Sequence, residues 1–293
     1  AAEWGDTMKR QVIGGTRTRI WGIVKTVILF ALLLVYMVPF FMVIINAFKT
    51  NRTILKEPLK LLEPGGPIFT NFSYAFDKMD FLRAFFNSLF ITVLSVLLIV
   101  IITSMTAYFF VRADWKINKV FFALMVAAMI VPFQVIMTPL ISIYGSFLGI
   151  LDHRLTLVFM HVGFSISMAV FIYHGFIKSN IPLSLEEAAT LDGCSRTQTF
   201  FRIVFPLLKP IPATIIVLNV LAIWNDYLLP SLVLTKKELF TLPLSTYSFY
   251  GSYLTNYGAV MAGLMLTVLP VIILYLFLQK QIISGVISGA VKA

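Results

Sequence analysis

The sequence predicts an all-α integral membrane protein with about six transmembrane helices. Of its 293 residues, 59% are hydrophobic and 12% are charged, and the mean hydropathy is +0.92. Soluble domains have about 45–50% apolar and about 25% charged residues, so an ordinary soluble protein is excluded, as are a disordered chain and a disulfide scaffold. The segments are continuously apolar rather than alternating in polarity, which disfavours transmembrane β-strands.

The helices follow from the uncharged runs, since each crossing needs about 20 apolar residues. These runs are 26–48, 84–111, 120–151, 155–177, 210–225 and 239–279. Trimmed at turn residues and loops, they predict helices at about 22–48, 86–111, 119–143, 155–178, 207–229 and 259–279. The remainder is an N-terminal segment 1–21, a long loop 179–205 and a tail 280–293. The first run exceeds the about 7–15 residues of a signal-peptide core, so we expect a retained helix rather than a cleaved signal.

Basic residues are distributed unequally between the two sides that this topology defines. Fourteen of the 23 lysines and arginines lie on the side of the two termini, and nine lie on the other. The excess predicts that both termini are cytoplasmic. The same distribution accounts for the net charge of +10, so we expect no nucleic-acid partner.

Residue patterns typical of enzymes are missing from the sequence. It has no G-x-x-x-x-G-K-[ST] phosphate-binding loop, so the chain is not itself a P-loop ATPase. It has no H-E-x-x-H or G-x-S-x-G pattern, and its three histidines lack metal-ligand spacing, so neither catalysis nor a metal site is expected. His161 lies in the fourth helix, and it is either a functional ionisable group or a neutral imidazole hydrogen-bonded inside the bundle.

The loop 179–205 contains a short predicted helix. Ser184 is expected to cap it, Glu186 and Glu187 lie in its first turn, and Asp192-Gly193 is expected to end it. The helix could lie on lipid headgroups or dock onto a cytoplasmic partner. Acidic residues at the start of a segment on the inner leaflet favour the partner.

This loop resembles the E-A-A–G–I-x-L-P signature of bacterial ABC importer permeases. The matching residues are Glu187-Ala188-Ala189, then Gly193 after three residues, and Ile203-x-Phe205-Pro206 after nine more, with Phe205 in place of the usual Leu. The string IPLSLEEAATLDG is similar to the second permease subunit of the maltose-type sugar branch. Further similarity lies at Asn87-Ser88, 107–112, 129–140, 224–230, 241–244, 259–263 and 279–292.

The resemblance implies a type I importer permease with a coupling helix seated in a cleft of an ATPase subunit. The residues expected to couple to the ATPase are Glu186, Glu187, Ala188, Ala189, Asp192 and Gly193. Glu187 would make the charge-assisted contact with the ATPase subunit, and Asp192 would assist it. The small residues would allow the ATPase to approach the helix closely. The implied partners are a second permease subunit, two ATPase subunits that hold ATP and Mg²⁺, a periplasmic binding protein and a saccharide, in the bacterial inner membrane. The chain itself would hold no cofactor, and its tail would reach towards the ATPase.

Evidence for the translocation pathway comes from polar residues inside predicted helices. Gln134 lies between two prolines of the third helix, and Asn219, Trp224, Asn225 and Asp226 lie in the fifth. Because polar groups facing lipid are costly, we expect these five to face the bundle interior or a cavity. The tyrosine-rich segment 230–258 resembles the part of the family that contacts the binding protein.

The sequence leaves the substrate open between a maltodextrin or other neutral sugar and an acidic saccharide such as alginate fragments. A self-sufficient secondary transporter or channel is the alternative function. That class would show inverted repeats or buried carboxylates for ion coupling, and only Asp226 lies near a membrane segment. A membrane-embedded enzyme is disfavoured by the missing nucleophile and metal patterns.

Overall fold

A computed structural model describes residues 16–61, 63–249 and 256–290, and these residues form helices and connecting segments without a β-strand. In chain order the α-helices are α1 (Thr16–Asn46), α2 (Asn51–Lys56), α3 (Thr70–Lys78), α4 (Phe81–Arg112), α5 (Lys116–Ala128), α6 (Phe133–Ile141), α7 (Arg154–Asn180), α8 (Ser184–Leu191), α9 (Arg196–Thr199), α10 (Phe205–Leu207), α11 (Pro210–Trp224), α12 (Leu228–Val233), α13 (Leu242–Ser245) and α14 (Tyr257–Ala290). Short π-helical segments at Ser142–Phe147 and Phe200–Val204 continue α6 and α9. The all-α prediction is confirmed.

Four helices in the described part of the chain are long and apolar enough to cross a membrane: Ile20–Asn46 within α1, α4, α7, and Tyr257–Phe277 within α14. Two bent pairs bring the number to six if each pair is one span. Lys116–Ala128 meets Phe133–Phe147 at 101°, and Arg196–Leu207 meets Ile211–Trp224 at 79°. The number of candidate spans therefore agrees with the prediction, but two of the spans are bent.

The helix predicted at 119–143 is two helices in the structure. Pro132 precedes α6 in an extended conformation, with φ −64° and ψ 137°. Proline lacks an amide hydrogen and disfavours the helical conformation of the residue before it, so α5 ends before it is reached. The helix predicted at 207–229 differs in the same way, since α11 spans only Pro210–Trp224 and Asp226 lies in the break before α12.

The core of the bundle is the pair α4 and α7, which run in the same direction. Near the start of α4, Asn87 Oδ1 accepts a hydrogen bond from the Arg154 guanidinium at the start of α7, at 3.0 Å. At the end of α4, Arg112 donates to the carbonyl of Ile181, which follows α7, at 2.7 Å. Small buried residues of α4, among them Ser95 and Thr103, allow the close approach that membrane helix pairs need.

At the Asn87 end of the bundle, the segment 234–249 (the anchored segment) is fixed to the core by hydrogen bonds. The Asn87 amide donates to the carbonyls of Glu238 and Phe240, at 2.9 and 3.0 Å. The hydroxyl of Ser88 accepts from the Leu242 amide at 2.7 Å. The anchored segment is therefore an ordered cap on this end of α4.

The two ends of the chain differ from the predicted boundaries. Residues 1–15 of the predicted N-terminal segment lie outside the described residues, and Thr16 already begins α1. The predicted tail 280–293 continues the last helix as far as Ala290, and residues 291–293 lie outside the described part. Most apolar side chains of α1 from Ile20 onward are exposed in the isolated chain.

Candidate functional site

The candidate site is the short helix α8 with its flanking turns, at the Arg112 end of the bundle. The helix begins at Ser184, and the preceding Leu183 is its N-cap without a side-chain hydrogen bond. The predicted Ser184 cap is therefore not formed. Glu186 and Glu187 occupy the first turn, as expected, where the carboxylates interact favourably with the positive end of the helix dipole.

A Schellman motif ends α8 at Gly193. The Gly193 amide donates to the Thr190 carbonyl at 3.0 Å, and the Cys194 amide donates to the Ala189 carbonyl at 2.9 Å. Gly193 has φ +82°, a left-handed conformation that glycine adopts without steric cost. The predicted turn lies at the correct residues, and the backbone conformation explains why glycine occupies this position. Among the residues that the structure describes, no atom of another part of the chain lies within 4 Å of a Cβ placed at Gly193.

The two glutamates of the first turn of α8 lie in different environments. Glu186 is 7% exposed and Ala189, three residues later, is 3% exposed, so both face the bundle. Glu187 and Ala188 are exposed, and Leu191 is 89% exposed. Glu187, Ala188 and Leu191, at helical spacing, form what we call the outward face. Of the three small residues expected to allow close approach, Ala188 and Gly193 are exposed, whereas Ala189 is covered by its own chain.

The carboxylate of Glu186 is held from both sides by α4. Arg112 Nε lies 2.7 Å from Oε1, and the Tyr108 hydroxyl donates to Oε2 at 2.7 Å. A second nitrogen of the Arg112 guanidinium donates to the Ile181 carbonyl at 2.7 Å. The side chains of Arg112 and Glu186 are 19% and 9% exposed. Glu186, predicted to contact a partner, therefore binds its own chain.

Glu187 has a different environment. Within the described residues its side chain makes no hydrogen bond or ion pair, and it lines a cleft of about 780 Å³ between the end of α4 and the segment 183–201. Asp192, the other predicted acidic contact, is exposed at the C-cap of α8. After the turn, a capping box between Ser195 and Gln198 starts α9. Glu187 and Asp192 are thus free to meet another molecule.

The five predicted pathway residues are placed differently from one another. Gln134 is exposed at the start of α6, and Asn225 is exposed after α11. Trp224 is buried, its ring 5.6 Å from that of Phe85 in an edge-to-face arrangement. Asn219 is half-buried and donates to the Ile215 carbonyl at 2.9 Å. The Asp226 carboxylate accepts from the Leu228 amide at 2.9 Å, so it caps α12.

His161 is buried in α7, as expected for a residue of the fourth helix. Among the described residues its Nε2 atom has no hydrogen-bond partner. The hydrogen-bonded imidazole considered from the sequence is therefore not seen at that nitrogen. His161 lies in the first half of α7, inside the α4–α7 core, whereas α8 follows the other end of that helix.

Three residues of the site lay outside the predicted set: Tyr108, Arg112 and Leu191. The spacing of Tyr108 and Arg112, four residues apart at the end of a helix, indicated that they share a face. Their partner Glu186 could not be found from the sequence, because 74 residues separate it from Arg112. Leu191 could have been found from the sequence, since it follows Glu187 by four residues and therefore shares a face of the helix with it.

Comparison with known proteins gives one consistent result. Residues 99–288 match the family described as "Binding-protein-dependent transport system inner membrane component". The chain is 41% identical to the "Probable starch degradation products transport system permease protein AmyC" of Thermoanaerobacterium thermosulfurigenes, covering 88% of this chain and 93% of that protein. It is 36% identical to the melibiose/raffinose/stachyose import permease protein MelC of Bacillus subtilis, covering 88% and 92%.

Solved structures agree on the fold. A chain of a bacterial ABC transporter involved in the import of the acidic polysaccharide alginate superposes with a TM-score of 0.74. The superposition covers 91% of this chain and 98% of that one, at 24% sequence identity. The all-α fold is thus that of an ABC importer permease. The chain belongs to the family of inner-membrane components of binding-protein-dependent transport systems.

Proposed function

We propose that this chain is one of two permease subunits of an ATP-driven importer that takes up an oligosaccharide delivered by a periplasmic binding protein. Two ATPase subunits would hold ATP and Mg²⁺, since the chain has no phosphate-binding loop. Both termini and the Arg112 end of the bundle would be cytoplasmic, consistent with the excess of basic residues on that side. The anchored segment would then face the binding protein. No comparison favours the alternative of a self-sufficient transporter or channel.

The observation that carries this proposal is the division of α8 into two faces. The inward face is fixed to α4 through Glu186, while the outward face presents Glu187, Ala188 and Leu191 to the exterior. An almost fully exposed leucine beside a carboxylate is suited to a partner with an apolar socket and a basic rim. A cleft in the ATPase would provide both, and the tail 280–293 would approach the same partner.

The exposed surface of α1 supports a second permease subunit. Most of its apolar side chains remain uncovered in the isolated chain, and a heteromeric bundle would cover part of them. For the pathway, Gln134 and Asn225 are the two predicted residues whose side chains remain exposed. Asn225 donates to the carbonyl of Leu221 at 2.8 Å, so Gln134 is the better candidate to meet substrate.

The names of the relatives favour a neutral oligosaccharide. MelC carries melibiose, raffinose and stachyose in its name, and a 33% identical protein of Bacillus subtilis is named for arabinooligosaccharides, covering 93% of this chain and 96% of that one. The alginate importer shares only 24% identity with this chain, so the similarity supports a common fold and not a common substrate. Uptake of labelled maltotriose or raffinose, competed by unlabelled alginate trisaccharide, tests the class. If the alginate trisaccharide competed and the neutral sugars were not taken up, an acidic saccharide would be favoured over a neutral one.

Affinity purification from the native membrane tests the assembly. We expect a P-loop ATPase and a second permease to accompany the chain. Leu191→Ala should weaken recovery of the ATPase by about 5–30-fold, the effect of losing about 1–2 kcal/mol at an interface anchor. Leu155→Ala, at a leucine that is 53% exposed at the opposite end of the bundle, is the matched control and should have no effect. A lone species that moves sugar without ATP would contradict the proposal.

A further inference from the structure

The network of Tyr108, Arg112 and Glu186 joins three elements of the chain at one point. Tyr108 and Arg112 are one turn apart at the end of α4, Glu186 lies in the first turn of α8, and Ile181 directly follows α7. Both carboxylate oxygens and two guanidinium nitrogens are engaged, each at 2.7 Å. The planar guanidinium cannot satisfy Glu186 and Ile181 together unless all three elements keep their relative positions.

Helix α8 needs such a connection if it is to transmit force. It has eight residues, too few for a stable isolated helix. Residues 181–183 link it to α7, and the glycine turn follows it. Its two buried residues are Ala189 and Glu186, and of these Glu186 makes the side-chain hydrogen bonds to α4. An alanine packed against the bundle does not fix an orientation, whereas a carboxylate held at both oxygens does.

We propose that Tyr108, Arg112 and Glu186 are positioning residues that make α8, the end of α4 and the end of α7 move as one body. The inference rests on the proposed function, because it assumes that an ATPase pushes on the outward face. Closure of the ATPase would displace α8, and the network would carry that displacement into the α4–α7 core. Coupling then depends on Glu186, whereas docking depends on Glu187 and Leu191.

The main competing explanation is that the network only stabilises the fold. Removing one charge of a buried pair leaves the other unpaired and destabilises a protein, while replacing both with apolar residues of similar size is often neutral. A pair of variants therefore separates the two roles. Glu186→Gln leaves the Arg112 charge unpaired, and the double variant Glu186→Met with Arg112→Met removes both charges and every directional bond that they make.

The experiment uses the complete importer in proteoliposomes with its binding protein and maltotriose. It measures maltotriose transported per ATP hydrolysed, ATPase subunit recovered, and the thermal unfolding midpoint. We expect both variants to retain the ATPase, and transport per ATP to fall at least about fivefold, the lower bound of a typical coupling effect. The double methionine variant should recover the unfolding midpoint but not the coupling.

The control is Asp114→Asn. Asp114 and Lys119 form an ion pair of the same 2.7 Å length at the same end of α4, but their side chains are 83% and 70% exposed. Exposed pairs contribute little, so this variant should couple normally. Normal transport per ATP in the double methionine variant would overturn the positioning role. Failure of the wild-type chain to bind any ATPase would instead refute the proposed function, so the two failures are distinguishable.

Discussion

Replacing Gly193 tests whether backbone conformation or side-chain volume limits this position. At φ +82° an L-residue with a Cβ is strained by about 1–2 kcal/mol, and no atom within 4 Å would add a clash in the isolated chain. The whole cost of Gly193→Ala is therefore backbone strain. At 298 K this free energy corresponds to an increase of about 5–30-fold in the population in which the end of α8 is open.

Hydrogen exchange measures that population directly. The amides of Gly193 and Cys194 close the Schellman motif, so their exchange in the purified permease should accelerate by the same 5–30-fold in Gly193→Ala. Asparagine adopts left-handed conformations more readily than alanine, so Gly193→Asn should accelerate exchange less although its side chain is larger. Equal exchange in Gly, Ala and Asn variants would refute the strain argument. Exchange that increased with side-chain volume would do the same.

The same series separates folding from docking. A bulky Gly193→Trp should block the ATPase if Gly193 lies close to the partner, but its strain also loosens α8, so loss of transport alone is ambiguous. Gly193→Asn adds volume with less strain. Recovery of the ATPase that follows volume across Ala, Asn and Trp would indicate a close approach of the partner at this residue, and recovery that follows exchange rates would indicate strain.

Three further predictions concern the opposite end of the bundle. Asn87→Leu removes the donor to two carbonyls of the anchored segment, at about 1–3 kcal/mol per unsatisfied group, and should accelerate hydrogen exchange across residues 234–242. Partial burial raises the pKa of Asp152, but hydrogen bonds from Thr235 and Lys236 outweigh it and leave the pKa below its usual value. The stabilisation that this carboxylate gives the anchored segment is therefore present above about pH 3.9 and is lost as the pH falls through the lower folded pKa. Proteolysis of the anchored segment should increase over that pH range, and Asp152→Asn should remove the pH dependence. Gly258→Ala places a Cβ 2.6 Å from the Lys49 carbonyl oxygen and should lower the free energy of unfolding by about 1–3 kcal/mol. Gly175→Ala in α7 is the control, because a Cβ there meets no atom within 4 Å among the described residues. It should leave the unfolding midpoint unchanged or raised.

Local sequence patterns predicted the elements that depend on local physics. The lengths of the uncharged runs located the membrane spans, because the thickness of the hydrocarbon core sets how many apolar residues a crossing needs. The acidic first turn and Asp192-Gly193 located α8, because helix ends have distinct chemistry. The prolines of the third span do not specify its bend of 101°, since the angle depends on what packs at the kink rather than on proline itself.

Contacts between distant segments were not predictable in the same way. Asn87 and Ser88 were noticed as a resemblance without a role, and they bind carbonyls and an amide more than 150 residues away. Such pairs depend on the parallel register of α4 and α7, which places residue 87 beside 154 and residue 112 beside 181. No periodicity within either helix specifies that register.

Adjacent glutamates illustrate the limit most clearly. Residues next to each other on a helix point about 100° apart, so Glu186 and Glu187 cannot share an environment, yet the sequence does not say which one faces inward. The basic residue that selects Glu186 is Arg112, at the end of another helix. Once that contact fixes the rotation of α8, the orientation of every other residue follows: Ala189 turns inward, and Glu187 and Leu191 turn outward. The buried ion pair between Arg112 and Glu186 thereby sets which face of α8 points away from the bundle.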